Sequence, residues 1–496
     1  MKSISRGKIF AKDHCVLIII LLIFAIIYSL ISLVNHYNFR TYALDLGLYT
    51  NAMFDYRHLH FNDSLTFKTE PENLLADHFD LYLMLFSPLT FIMGSYTLLI
   101  VQIISVMIGA CGVYFYFLNQ QTEKTISIFA VLCFVLFFGI FSAISFDYHS
   151  NVVAAMLVPW FLLFIRRRKL KSSFLLLLFI LISKENISLW MAFICLGLAA
   201  ENYADRKTLR FLLFCFATSA AWFFAIVVYL MPYLSNNKTY AHFDYSVLGN
   251  SMYEAVVFII SHPLKTLHYF FTNHTSNPKG DYVKAELFIF LLLSGLYLLV
   301  KKPLYIVMLV PIFFQKLFNN DMYKWGIYAQ YAVEFAPLII IGAFETIKEI
   351  ENRKLRNVLI FCMVAGNMAA TLRLMDNTVL YFTRDQIRIY KMSHFKPEYN
   401  SKTIHVQLNK IPGDAIVSAQ SPFVSHLALR DKIYQFPVIK DASFVIYSNT
   451  ERTYPLSKVM FEEQVNILIA SGEWTPLYQS PDFNILKKKT TATVIY

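Results

Sequence analysis

Residues 172–200 read SSFLLLLFILISKENISLWMAFICLGLAA, and the way the chain passes through them decides how it is threaded. As one helix of 29 residues the stretch would run about 43 Å at roughly 1.5 Å per residue. It would then place the basic clusters RRRKLK (166–171) and ADRKTLR (204–210) on opposite sides of a membrane, against the tendency of Lys and Arg to remain on the cytoplasmic face. Broken at Lys184, Glu185 and Asn186 into two short helices, the stretch keeps both clusters inside. The break also carries Lys184 and Glu185 to the outer side, below the membrane surface if the two helices are too short for full crossings.

The rest of the chain agrees with a lipid environment. Of its 496 residues 57% are hydrophobic and 16% charged, and the mean hydropathy is +0.49, which is the composition of a polytopic membrane protein. The first apolar run, Cys15 to Val34, is long enough to cross and holds no charge. It follows the basic start MKSISRGKIFAKDH with no small-residue cleavage site after it, the pattern of a retained signal anchor with its N-terminus inside. The formal charge of +11 is spread over short loops, where it sets topology, and no nucleic-acid motif accompanies it. All six cysteines fall in apolar runs, so neither a disulfide framework nor a CxxC metal site is expected.

Eleven spans are expected, near 15–34, 97–118, 125–144, 152–165, 172–183, 187–200, 211–231, 285–300, 303–318, 332–347 and 357–375. The fold class is therefore a mainly α transmembrane helical bundle over residues 1–375, with outer loops at 35–80 and 232–284. The polar tail, 376–496, carries strand-like runs such as DAIVSAQ, KIYQFPVI and ASFVIYS and predicts a small extracytoplasmic α/β domain. ISHPLKTLHYFFTNH (260–274) predicts an interfacial helix.

Candidate chemistry gathers at the outer ends. In LDLGLYTNAMFD (44–55) Asp45 and Tyr49 lie four apart on a semi-apolar helical segment, where an ionised carboxylate is expensive unless paired, metal-bound or functional. Asp77 and His78 arrive together at the next membrane boundary, and Asp147 and His149, two apart, can point the same way. Such carboxylates and imidazoles would suit Mn²⁺ or, with more oxygens, Mg²⁺ as a divalent cation; each of them also has an ordinary role as a satisfied loop or helix-end contact. Lys184 is either the ion-pair partner of Glu185 or Asp147, or a cation for a lipid-linked phosphate. Tyr331 and Glu334 stand at the outer entrance of a span, with Glu334 inside the apolar run.

LDLGLYTNAMFD, ADHFDLYLMLFSPLT (76–90), FDYHS (146–150), SKEN (183–186), YAQYAVEFAP (328–337) and IPGDAIVSAQSPFVSHLALRDKIYQFP (411–437), in that order, resemble a family of prokaryotic polytopic membrane proteins known as a domain of unknown function, 2079. That family in turn resembles the GT-C glycosyltransferases. The resemblance implies transfer of a sugar from a polyprenyl-phosphate donor on the outer face of the cytoplasmic membrane, with Asp45 matching the first-loop acid as the catalytic residue. Lys184, Glu185, Tyr49, Tyr331 and Glu334 would then bind substrate, and Asp77, His78, Asp147 and His149 a cation. No adjacent acidic pair follows the first span, a departure from the GT-C pattern. The alternative expectation is a non-catalytic lipid-carrier transporter or membrane assembly scaffold.

Overall fold

The computed structural model of the chain describes residues 13–66, 70–118, 123–380 and 384–489; the basic start that predicts a signal anchor lies almost wholly outside them. Each expected apolar stretch forms helix, but eleven crossings are not what the helix lengths support. Among the described residues four segments are long and apolar enough to span: Cys15–Tyr37, Tyr82–Leu118, Arg206–Leu234 and Arg353–Asp376. A fifth is added if Lys124–Val135 and Phe138–Ile144, bent by 45°, act as one. The correction has a simple cause. The 172–200 stretch breaks at Lys184, whose backbone is extended, into helices Leu170–Leu181 and Glu185–Glu201 of 12 and 17 residues. These reach about 18 and 25 Å, short of a hydrocarbon core about 30 Å thick.

Apolar side chains face outward where lipid would be. On Cys15–Tyr37 the stripe Leu17, Phe24, Tyr28 and Ile31 is buried while Ile19, Leu22 and Ile26 are 54%, 59% and 60% exposed, a pattern a water-soluble surface does not tolerate over such an area. Helix Phe335–Lys348 is the opposite case. Every residue from Phe335 to Ile347 is buried, so this helix runs through the middle of the bundle. Thr97–Leu118 and Ser150–Arg166 approach closely because Gly109 and Gly112 have no side chains: a Cβ at Gly109 would lie 2.9 Å from Met156 Sδ, and one at Gly112 2.8 Å from the Trp160 ring.

Beyond the bundle, β1 (Asp63–Ser64) pairs antiparallel with β2 (Glu72–Asn73) in the first outer loop. The tail forms a five-stranded sheet in the order β4 (Ile433–Gln435), β3 (Val417–Ala419), β5 (Phe444–Tyr447), β7 (Asn484–Lys488), β6 (Trp474–Gln479). Strand β3 runs parallel to β4 and β5, and β7 antiparallel to β5 and β6. One face packs Ile404, Leu408, Phe423 and Val424, and the other packs Phe461, Val465 and Leu468 from helix Lys458–Ala470. Phe39 and Ala43, from the first outer loop, belong to the first of these cores. The sheet is therefore seated on the start of that loop. In the second outer loop, Met252–Ser261 and Pro263–Phe271 leave Val256, Ile260, Leu264 and Leu267 exposed, the surface of helices that lie at an interface.

Candidate functional site

Asp45 sits in a single π-helical turn, Ala43–Gly47, that leads directly into helix Leu48–Arg57. Such turns widen the helix locally and re-aim a side chain. This one is held from two sides. The buried Asp147 carboxylate accepts from the Tyr42 amide at 3.0 Å and the Leu46 amide at 3.4 Å. From the tail, Ser421 Oγ accepts from the Ala43 amide at 3.1 Å, Thr41 Oγ1 and Ser425 Oγ lie 2.9 Å apart, and Asn51 donates to the Arg430 carbonyl at 2.8 Å. Asp45, partly exposed on the turn between them, meets His149 with Oδ1 3.3 Å from Nε2.

His149 is the residue before helix Ser150–Arg166. Its amide donates to Gln102 Oε1 at 3.0 Å, its Nδ1 lies 3.3 Å from the Asp147 carbonyl, and Phe146 stacks on its ring. With Nδ1 turned to a carbonyl, the Nε2 edge is the one presented to Asp45. Asp147, beside this pair, accepts from backbone. Burial pushes its carboxyl well above the usual range and Asp45 adds to the rise, while the two amides oppose it.

A second group lies at the end of the first outer loop. His78 stacks on His242 with ring centres 4.4 Å apart, and His242 Nε2 lies 2.6 Å from the Asp77 carbonyl and 3.3 Å from its Oδ1. His78 Nδ1 faces Glu185 Oε1 at 3.4 Å, its Nε2 faces Lys184 Nζ at 3.4 Å, and Glu185 Oε2 accepts from the Phe79 amide at 3.3 Å. Burial works to raise the Asp77 carboxyl, but His78, His242 and Lys184 outweigh it and hold it below the carboxylate range. Next to it Asp80, 2% exposed, accepts from the Tyr82 amide at 2.9 Å. Burial pushes Asp80 up to about 7 against the hydrogen bonds from Ser150 and Tyr82.

Asp77, His78, Asp147 and His149 thus do not converge on one point: the first two join His242, the last two join Asp45. Tyr49 stands between the groups. Burial raises its hydroxyl most, and the charges of Asp45, Asp77, Asp80 and Glu185 all act on it. Tyr331 is raised by burial and then by Asp45, Asp321 and Glu334. Glu334 is paired with Lys316, Oε2 to Nζ 3.2 Å, and its Oε1 accepts from Asn151 at 2.7 Å; Lys316 Nζ lies 5.4 Å from the centre of the Tyr331 ring. The charge of Asp45 thus acts on both Tyr49 and Tyr331, that of Glu185 on Tyr49 and that of Glu334 on Tyr331.

His242, Lys316 and the tail serines are absent from the expected site. Lys316 carried a signal, an ionisable residue inside the apolar run 303–318. His242 and Ser421 carried none, since each joins the site only through long-range folding.

The chain belongs to the family described as predicted membrane protein (DUF2079), whose match runs over residues 35–479. Among curated proteins none matches it.

Proposed function

We propose that this membrane protein is a glycosyltransferase of the outer face of the cytoplasmic membrane, moving a sugar from a polyprenyl-phosphate donor to a hydroxyl acceptor. The observation that carries this is the Asp45–His149 pair, 3.3 Å apart on a turn pinned by Asp147 below and the tail above. A partly exposed carboxylate held rigidly against a buried imidazole at a membrane boundary is suited to taking a proton. In the proposed reaction Asp45 accepts the acceptor hydroxyl proton as that oxygen forms its bond to the anomeric carbon. The bond from that carbon to the donor phosphate oxygen breaks, the phosphate leaves with the electron pair from the face opposite the attack, and the configuration at the anomeric carbon inverts. Lys184, whose Nζ lies 3.4 Å from His78 Nε2, meets the charge that develops on the phosphate. Tyr49 and Tyr331 border the sugar between these groups.

The test is a cell-free assay with membranes and labelled polyprenyl-phosphate sugars. Asp45→Asn keeps the shape and removes the base, so transfer should fall by about 10²–10⁴-fold while the protein accumulates normally. Undiminished transfer, or full complementation of a deletion strain by Asp45→Asn, overturns the proposal. A lipid-carrier transporter is the second reading, and one observation favours it: the buried Lys316–Glu334 pair and the buried Glu345 paired with a partly exposed Arg166 put charge near both ends of the bundle. Movement of a labelled lipid phosphate across proteoliposomes, equal in wild type and Asp45→Asn, would identify it.

A further inference from the structure

The loop 232–284 meets the loop 35–80 at Glu72, which accepts from Ser235 and the Asn236 amide, and again where His242 meets Asp77 and His78. We infer that Asp77, His78 and His242 form a binding site for a single divalent transition-metal ion of the zinc class, independent of the Asp45 chemistry. One ligand atom from each of the three residues can be chosen so that all lie within 4.8 Å of one another, and Asp77 Oδ1 and His242 Nε2 are 3.3 Å apart. That separation is long for a hydrogen bond between them. It matches the roughly 3.4 Å between two ligands of a tetrahedral ion with bonds of about 2.0–2.1 Å.

The surroundings of His78 suit a ligand. Glu185, 3% exposed, faces Nδ1 at 3.4 Å and is itself fixed by the Phe79 amide. A carboxylate behind one ring nitrogen orients the imidazole and directs the other nitrogen, Nε2, to the metal. Nε2 now faces Lys184 Nζ at 3.4 Å, so a bound ion displaces that ammonium sideways. His242 Nε2, now 2.6 Å from the Asp77 carbonyl, gives up that contact when it takes the metal. Two imidazoles and one carboxylate favour Zn²⁺ or its neighbours over Mg²⁺ and Ca²⁺, which prefer all-oxygen shells. Three protein ligands leave a fourth position open, beside the displaced lysine, where an anionic oxygen would be held by both cations.

The experiment uses the full chain in detergent, stripped with a chelator, incubated with Zn²⁺ in excess Mg²⁺ and separated from free metal by gel filtration. Wild type should retain about one zinc per chain, and His242→Gln and Asp77→Asn should each lose it or bind at least tenfold more weakly. His268→Gln, on the exposed Pro263–Phe271 helix, should retain it. Equal zinc in wild type and in both cluster variants would show adventitious surface binding, and no zinc in wild type would show no site; either result overturns the inference. Metal-free melting curves of each variant report misfolding. If both variants misfold, Co²⁺ titration of wild type decides: the intense visible absorption of a four-coordinate site supports the cluster, and the weak spectrum of hydrated or six-coordinate Co²⁺ overturns it. Asp45→Asn should bind zinc as wild type does, so a failed transfer assay and a failed metal assay remain distinguishable.

Discussion

Asp147 accepts hydrogen bonds from two backbone amides, Tyr42 and Leu46, and so acts on Asp45 through the main chain. Asp147→Ala leaves two amides without an acceptor in a buried place, at about 1–3 kcal/mol each. It should lower the melting temperature and cut transfer, whereas Asp147→Asn, which keeps one acceptor oxygen in the same position, should retain most of both. Equal loss in the two variants would mean that the charge itself matters. Asp80 gives a pH dependence of known sign. Its carboxyl is raised to about 7 in the folded protein from about 3.9 unfolded, so the unfolded chain ionises first. The protonated folded form confers its full advantage below about pH 4, and stability is lost as pH rises towards 7 and then levels off. Asp80→Asn should flatten the melting temperature between pH 4 and 7 and raise it at pH 8; an unchanged profile would exclude Asp80 as the source. At this scale the sequence was readable where a polar residue interrupts an apolar run, as Asp45, His149 and Lys184 do. It was silent about Asp147, because a buried carboxylate that caps a distant turn has the same sequence signal as one that faces a ligand.

The π-turn Ala43–Gly47 and helix Ser421–Leu427 meet at Gly47, where a Cβ would come within 2.8 Å of Val424 Cγ1. Val424 is fully buried in the tail core, so it has nowhere to move. Gly47→Ala should cost about 1–3 kcal/mol by overpacking, loosen the tail from the first outer loop, and expose the 41–51 segment to protease. Val424→Ala should suppress that defect when combined with it, although alone it destabilises by leaving a small void. Failure of the double variant to recover would mean that the clash lies elsewhere. Elements of this kind were legible in unequal measure. Strands β3, β4 and β5 fall inside the runs DAIVSAQ, KIYQFPVI and ASFVIYS, because alternating β-branched and aromatic residues between turn residues have few other solutions. The helices also fall where apolar runs predict them. Their function as spans did not follow, because a run of 12–17 residues has the composition of a crossing without its length.

The whole molecule ties its sidedness to two rigid facts. His149 and Arg166 stand at opposite ends of a 17-residue helix, Ser150–Arg166, which separates them by about 25 Å. The tail is bonded to the 41–51 segment that carries Asp45, and Asp45 touches His149. The 41–51 segment, the His149 end and the tail therefore share one end of the bundle, and the RRRKLK cluster at 166–171 stands at the other. With that cluster held at the inner face by its charge, the tail is expected outside. A reporter fused after Asn400 should be active only outside, and a cysteine introduced within 166–171 should react with an impermeant thiol reagent only after the membrane is opened. Cytoplasmic activity after Asn400 would invert the whole assembly, bring Asp45 to the inner face, and replace the polyprenyl-phosphate donor by one available in the cytoplasm.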